Sequence, residues 1–167
     1  MGDRVVGPLR ELREPLHEGL RQLLAAARAV DTGNTPAALD AIDGALKYLD
    51  EQFLPHCRAE EFTLFPAVDG VIGGSGATDV MIVQHDTLAR MASDLRQVAD
   101  AARTDNDVAA YGKYLEPLLH GLYALARSHL EAEDTAYVAL LDEYLSESQV
   151  GVIVENIERI VAAGAAE

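Results

Sequence analysis

Apolar residues recur along this chain at steps of three and four, the spacing that gathers side chains on one face of an α-helix. The first run is Leu9, Leu12, Leu16, Leu20, Leu23, Ala27 and Val30, and Asp31-Thr32-Gly33-Asn34 closes it. It predicts a helix over about residues 4–30, with Pro15 removing one backbone donor from its interior. The second run, Ile42, Ala45, Leu49, Phe53, His56, Glu60, Thr63 and Ala67, predicts a helix from residue 35 to about 68. Thr35 is its expected N-cap, Pro36 its first helical residue and Pro55 the site of a kink. A glycine-rich stretch over residues 70–78 reads as a loop. It lacks the Gly-Lys-Ser/Thr ending and the preceding strand of a phosphate-binding loop. The third run, Met81, His85, Leu88, Ala92, Leu95, Ala99 and Ala102, predicts a helix over about 78–103. The fourth, Leu115, Leu119, Leu122, Ala126, His129, Glu133, Ala136 and Leu140, predicts one over about 108–144, with Pro117 as a bend. Ser146 and Gln149 have the spacing of a capping box that opens a short fifth helix through about residue 162.

Four long amphipathic helices joined by short connections predict an all-α fold, an up-down-up-down four-helix bundle with a short additional C-terminal helix. The chain has 167 residues, a size that suits one domain spanning 1–167, with its core over about 9–145 and the C-terminal helix over about 147–162. The composition agrees, with no Trp, three Phe and no long strand-like run of Val, Ile and Thr.

Polar residues inside the apolar stripes change the picture. His56 and Glu60 lie one turn apart on the second stripe, His129 and Glu133 one turn apart on the fourth, and His85 stands on the third. His17 falls beside Leu16 and Leu20, at the edge of the first. Each helix thus carries one histidine on or beside its stripe, and two of them carry a His-x-x-x-Glu pair, the ingredients of a dinuclear metal site inside a bundle. Buried imidazoles and carboxylates without partners cost several kcal/mol each. A lone histidine finds a hydrogen bond in a core easily; several need a common partner. Direct His–Glu pairing is one solution, and a metal centre that satisfies all the groups at once is the other. Six His and Glu ligands exceed what a structural zinc site takes, and calcium and magnesium want all-oxygen shells. A mixed imidazole and carboxylate set suits iron or manganese. Two ions fit the charge of two glutamates and an oxo bridge better than one.

Net charge and cysteine count exclude other classes. At −15, with pI near 4.5, the surface repels nucleic acid and anionic membrane. Cys57 is the single cysteine, so no intrachain disulfide forms. The first ten residues lack the apolar core of a signal peptide, and no apolar run reaches the ~20 residues that span a bilayer. The expected setting is cytoplasmic.

The ordered set His17, His56-x-x-x-Glu60, His85, His129-x-x-x-Glu133 resembles the hemerythrin-like family over about residues 9–145, most specifically in His56-x-x-x-Glu60-Glu61-x-x-Leu64-Phe65-Pro66. The resemblance implies two iron ions, one bound by His17 and His56, the other by His85 and His129. Glu60 and Glu133 would bridge them together with an oxo or hydroxo group. It implies a small oxidant as ligand: dioxygen, hydrogen peroxide or nitric oxide. Two departures from the oxygen-carrying hemerythrins stand out. Those have a second histidine one turn from the first on the third helix, where this chain has Met81 and Ala89; one iron would therefore keep an open position. They also place an aspartate five residues after the fourth-helix histidine, the spacing of Asp134, whereas the stripe selects Glu133. The reading is a protein that binds or reduces a small oxidant. The alternative is an iron or oxygen sensing or storage module without turnover, working through a partner protein. His120, Cys57 and the tyrosines read as surface or packing residues, and Glu61 and Asp134 as carboxylates that orient ligating rings.

Overall fold

The first apolar run folds as α1 (Gly7–Asp31), which buries Leu9, Arg13, Leu16, Leu20, Leu23, Ala27 and Val30 on one face. The protein is described by a computed structural model over residues 5–164, so the expected start of this helix at residue 4 lies outside the described residues. No side chain caps α1 locally. The Asp142 carboxylate, far along the chain, accepts from the backbone N–H of Val5 at 2.8 Å instead.

The second run is more broken than its periodicity predicts. It forms α2 (Thr35–Tyr48), a π-helical turn (Leu49–Phe53), α3 (Leu54–Phe62) and α4 (Leu64–Ile72). Prolines explain both interruptions. Pro55 offers no N–H and its ring crowds the carbonyl four residues back, and the wider turn just before it relieves that clash. Pro66 acts likewise on residue 62, and the helix breaks at Thr63, with φ −130° and ψ −69°. The expected N-cap also shifts by one residue. Asn34 Oδ1 accepts from Ala37 N, while Thr35 Oγ1 accepts from Val108 N and ties the two connecting turns together.

The chain then turns through Gly73 and Gly76, both at positive φ where glycine is unstrained, into α5 (Asp79–Asp105). The fourth run is α6 (Val108–Ala132), a second π-helical segment (Glu133–Val138) and α7 (Ala139–Tyr144). The fifth helix is α8 (Glu147–Gly164), opened by the expected capping box: Ser146 N donates to Gln149 Oε1 at 2.9 Å.

The ring of contacts α1–α2–α5–α6–α1 makes the antiparallel bundle, and α8 packs on α3 and α1 to cover one flank. The fold is all-α; among the described residues there is no strand, and no helix is long and apolar enough to cross a membrane. Two apolar clusters fill the interior. Leu20, Leu23, Ile42, Leu95, Leu115 and Leu119 belong to one, and Leu9, Phe65, Val68, Met81, Leu141 and Ile157 to the other. Along each rod a polar side chain separates them. Arg13 lies between Leu9 and Leu16, Glu60 between Cys57 and Leu64, His85 between Met81 and Leu88, and Glu133 between Leu130 and Val138. The bundle therefore carries a polar layer in mid-core.

Tyr48 fixes the spacing of α1 and α2 beside that layer, donating its buried hydroxyl to Leu16 O at 2.6 Å. Its ring lies flat against Gly19, where a Cβ would sit 2.0 Å from Tyr48 Cε2. Gly19→Ala should therefore push the ring off its hydrogen bond. We expect a loss of about 1–3 kcal/mol in urea unfolding, the range for overpacking, despite alanine's better helix propensity. An unchanged midpoint would show that the two helices separate at no cost.

Candidate metal centre

Five of the six candidate residues meet in the polar layer. His56, Glu60, His85, His129 and Glu133 are all buried, Glu133 and His129 completely. His56 and Glu60 share a face of α3 one turn apart, with His56 Nε2 3.1 Å from Glu60 Oε1. His129 and Glu133 repeat this across the α6 boundary, with His129 Nε2 3.3 Å from Glu133 Oε1. Glu133 still donates its N–H to His129 O and Leu130 O, so the α-helical register holds up to this residue and the π turn begins there. His85 comes from α5, with its Nε2 3.9 Å from Glu60 Oε2.

His17 is not in this group. Its side chain is 37 % exposed, and its Nε2 lies 2.8 Å from Asp134 Oδ2 at the edge of the bundle. Arg13, one turn before it, goes inside instead and is 2 % exposed. Each of its nitrogens meets a different carboxylate: Nη1 donates to Glu60 Oε1, Nη2 to Glu133 Oε2 at 2.5 Å, and Nε to Asp134 Oδ1 at 2.9 Å. The apolar spacing contains a signal for this that the reading by histidines missed. Leu9, Arg13, Leu16 and Leu20 step by four, three and four, so Arg13 holds the stripe position and His17 lies one residue off it.

Two further residues hold the rings from outside, and of these only Gln84 was not legible in the sequence. Glu61 Oε1 lies 2.8 Å from His85 Nδ1, and Gln84 Oε1 lies 2.9 Å from His129 Nδ1. A carboxylate oxygen and an amide oxygen can only accept, so both Nδ1 atoms carry the proton. The orienting role expected of Glu61 is thus seen in its contact, and Gln84 shares it. Asp134 orients His17 and Arg13. Phe65 stacks on the His85 ring with centroids 5.3 Å apart, which gives the Leu64-Phe65-Pro66 segment its place in the site.

With their protons outward, His85 and His129 turn both Nε2 lone pairs inward, 3.0 Å from each other. Glu60 Oε2 and Glu133 Oε1 are buried nearby with no hydrogen-bond partner among the described residues. Two imidazole lone pairs thus face each other with no proton between them, Glu60 Oε2 lies 3.9 Å from His85 Nε2, and Glu133 Oε1 lies 3.3 Å from His129 Nε2. Burial of such atoms costs about 1–3 kcal/mol each unless something positive lies among them. Cys57 joins the group: one atom from each of Cys57, Glu60, His85 and His129 lies within 4.8 Å of the others. The residues present fit a cation, and the outer hydrogen bonds to Glu61 and Gln84 are the kind that fix metal-binding imidazoles.

The electrostatics agree. Burial, then the neighbouring Glu60, pushes Glu133 from an ordinary 4.5 up to about 8. Burial acts on Glu60 in the same direction, yet His56 and Arg13 outweigh it and hold Glu60 at about 2. Burial lowers His129 to about 3, so the ring stays neutral and its lone pair available. Burial would also lower Arg13, but Glu133, Glu60 and Asp134 together raise it and keep it charged. Burial pushes the Cys57 thiol well above its ordinary 9.0, which keeps its proton on.

A cleft of about 190 Å³ lined by Leu54, Cys57, Arg58, Glu61, His85 and Ala89 opens beside His85. Ala89 is exposed at its rim, and Met81, one turn the other way, is buried in apolar packing. His120 is exposed, as its position on the helix predicts.

No curated protein and no solved structure matches the chain. The hemerythrin HHE cation binding domain matches residues 11–141, a span that runs from α1 to α7 and includes every residue of the polar layer. With four helices in an antiparallel ring, His-x-x-x-Glu pairs on the second and fourth, and inward lone pairs that call for a cation, the chain belongs to the hemerythrin HHE cation-binding family.

Proposed function

We propose that this bundle is a non-haem iron protein that binds or reduces a small oxidant: dioxygen, hydrogen peroxide or nitric oxide. The observation that carries the reading is that His85 Nε2 and His129 Nε2 face each other 3.0 Å apart beside Glu60 Oε2 and Glu133 Oε1, two buried oxygens with no hydrogen-bond partner among the described residues. Imidazole and carboxylate together suit iron better than calcium or magnesium. Glu60 and Glu133 each turn one oxygen toward the His85 and His129 side and the other toward Arg13, so a pair of ions would draw on oxygens that Arg13 now holds. Bound iron would supply a redox partner and a position where a small molecule exchanges.

The chain's own residues decide what reaches that position. Glu61 and Gln84 hold the rings of His85 and His129, and Phe65 covers one face of His85. The cleft of about 190 Å³ that His85 and Ala89 line has room beside His85 for a molecule of a few atoms. The acidic surface disfavours nucleic acid and anionic membrane as partners.

Anaerobic loading with ferrous iron, followed by metal analysis and absorbance on mixing with oxygen, peroxide or nitric oxide, tests this. Iron retained in the bundle, with a spectrum that changes on mixing, is the expected result. Zinc retained in preference to iron under competition would overturn the iron assignment. Iron held without any response to the three oxidants would move the protein to iron storage.

A further inference from the structure

The guanidinium of Arg13 stands where the second of two bridged ions would find its carboxylate oxygens. It is almost wholly buried, and its three nitrogens hold Glu60 Oε1, Glu133 Oε2 and Asp134 Oδ1. Those are the oxygens that face away from His85 and His129. The histidine of the same helix, His17, is meanwhile paired with Asp134 at the surface. The polar layer therefore has two unlike halves. One is two facing imidazole nitrogens with the unpartnered Glu60 Oε2 and Glu133 Oε1 beside them; the other is a set of carboxylates already satisfied by a fixed positive charge.

We propose that Arg13 is a built-in cation occupying the second metal position, so that the protein takes up one ion readily and a second only when Arg13 is displaced. The first ion has Glu60 Oε2, Glu133 Oε1, His85 and His129 in place and disturbs nothing that Arg13 holds. The second must compete with three charge-assisted hydrogen bonds, each stronger than a neutral one. It must also draw His17 away from Asp134. A destination for the displaced side chain is present. A surface hollow of about 240 Å³, lined by Arg10, Glu11, Glu14, His17 and Asp134, shares with Arg13 its partner Asp134 and offers two further carboxylates. Arg13 thus sets the nuclearity of the centre, making a one-ion form the ground state and a two-ion form conditional.

This inference rests on the metal-binding reading above, and the test separates the two. Equilibrium dialysis of the full chain against ferrous iron under anaerobic conditions, with metal analysis, should give one ion per wild-type chain, the second binding at least about 100-fold more weakly. Arg13→Met should bind two ions with affinities within about tenfold of each other. Arg13→Gln, which keeps N–H donors and loses the charge, serves the same purpose if the methionine variant folds poorly. Circular dichroism monitors folding throughout. Two ions bound alike by the wild type would overturn the proposal, as would a single ion in folded variants lacking the arginine charge. No ion bound by either protein would instead overturn the metal-binding reading on which it stands.

Discussion

Replacing Glu60 by alanine should be the most damaging single change in the polar layer. Its Oε1 accepts from Arg13 and lies beside His56, and its Oε2 is buried with no hydrogen-bond partner among the described residues. Removing one partner of a buried ion pair leaves the other charge uncompensated, at a cost of about 3–5 kcal/mol. For a chain of this size that is on the order of 10 °C in Tm. The same change takes an oxygen from the cation site, so iron binding should be lost as well. Glu133 makes a matched comparison, because its carboxyl is raised to about 8 and holds its proton at pH 7. Glu133→Gln imitates that protonated form, so it should cost the metal-free protein under about 1 kcal/mol while still weakening iron binding. Urea unfolding of the two variants beside wild type checks this directly. Equal losses would mean that both carboxylates share the burden of Arg13, contrary to the asymmetry described above.

The second large effect is on pH. Glu133 has a folded value of about 8 against an ordinary 4.5, so the native state binds its proton more tightly than the unfolded chain. Its contribution to stability is complete below pH 4.5 and is lost as pH rises through 8. His129 has the opposite sign: held at about 3 against an ordinary 6.5, it stays neutral in the fold. Its contribution is complete above 6.5 and is lost as pH falls toward 3. Between 4.5 and 6.5 the two slopes cancel. Metal-free protein should therefore show a stability plateau over that window. It should lose up to ~1.4 kcal/mol per pH unit from 6.5 toward 8, and fall again below 4.5, where Glu60 adds its own loss toward about 2.

Iron turns the alkaline slope around. An ion that takes Glu133 Oε1 needs the carboxylate, so loading at pH 7 should release about one proton, and affinity should climb up to about tenfold per pH unit until pH 8. Proton release measured with an indicator dye, in wild type and Glu133→Gln, checks the source. Release that persisted in Glu133→Gln and vanished in Cys57→Ala would assign the proton to the thiol instead, and would make Cys57 a ligand.

The bundle was legible because burial repeats with the helical period. Leu, Ala and Val at steps of three and four can bury one face only as helices, so helix number, order and inward face follow from local spacing alone. The same rule placed His56, Glu60, His85, His129 and Glu133 in the interior, and a residue on a buried stripe stays buried whichever neighbour it meets. It places Arg13 there too, one step from Leu9 and Leu16, though the reading by histidines passed over it. A guanidinium in a core is tolerable only when carboxylates surround it, and those come from positions 47, 120 and 121 residues away. Spacing along one helix carries no information about that. The π turns are of the same kind. Proline signals a disturbance near residues 51–54, but whether the helix kinks, breaks or widens depends on what packs against it. Glu61 against His85, Gln84 against His129 and the pairing of His17 with Asp134 follow from the azimuth of each helix about its axis. Sequence thus determined which residues are buried. Only the packed bundle decided which buried charges meet, because electrostatic partners are chosen across helices, at distances the chain sets when it closes.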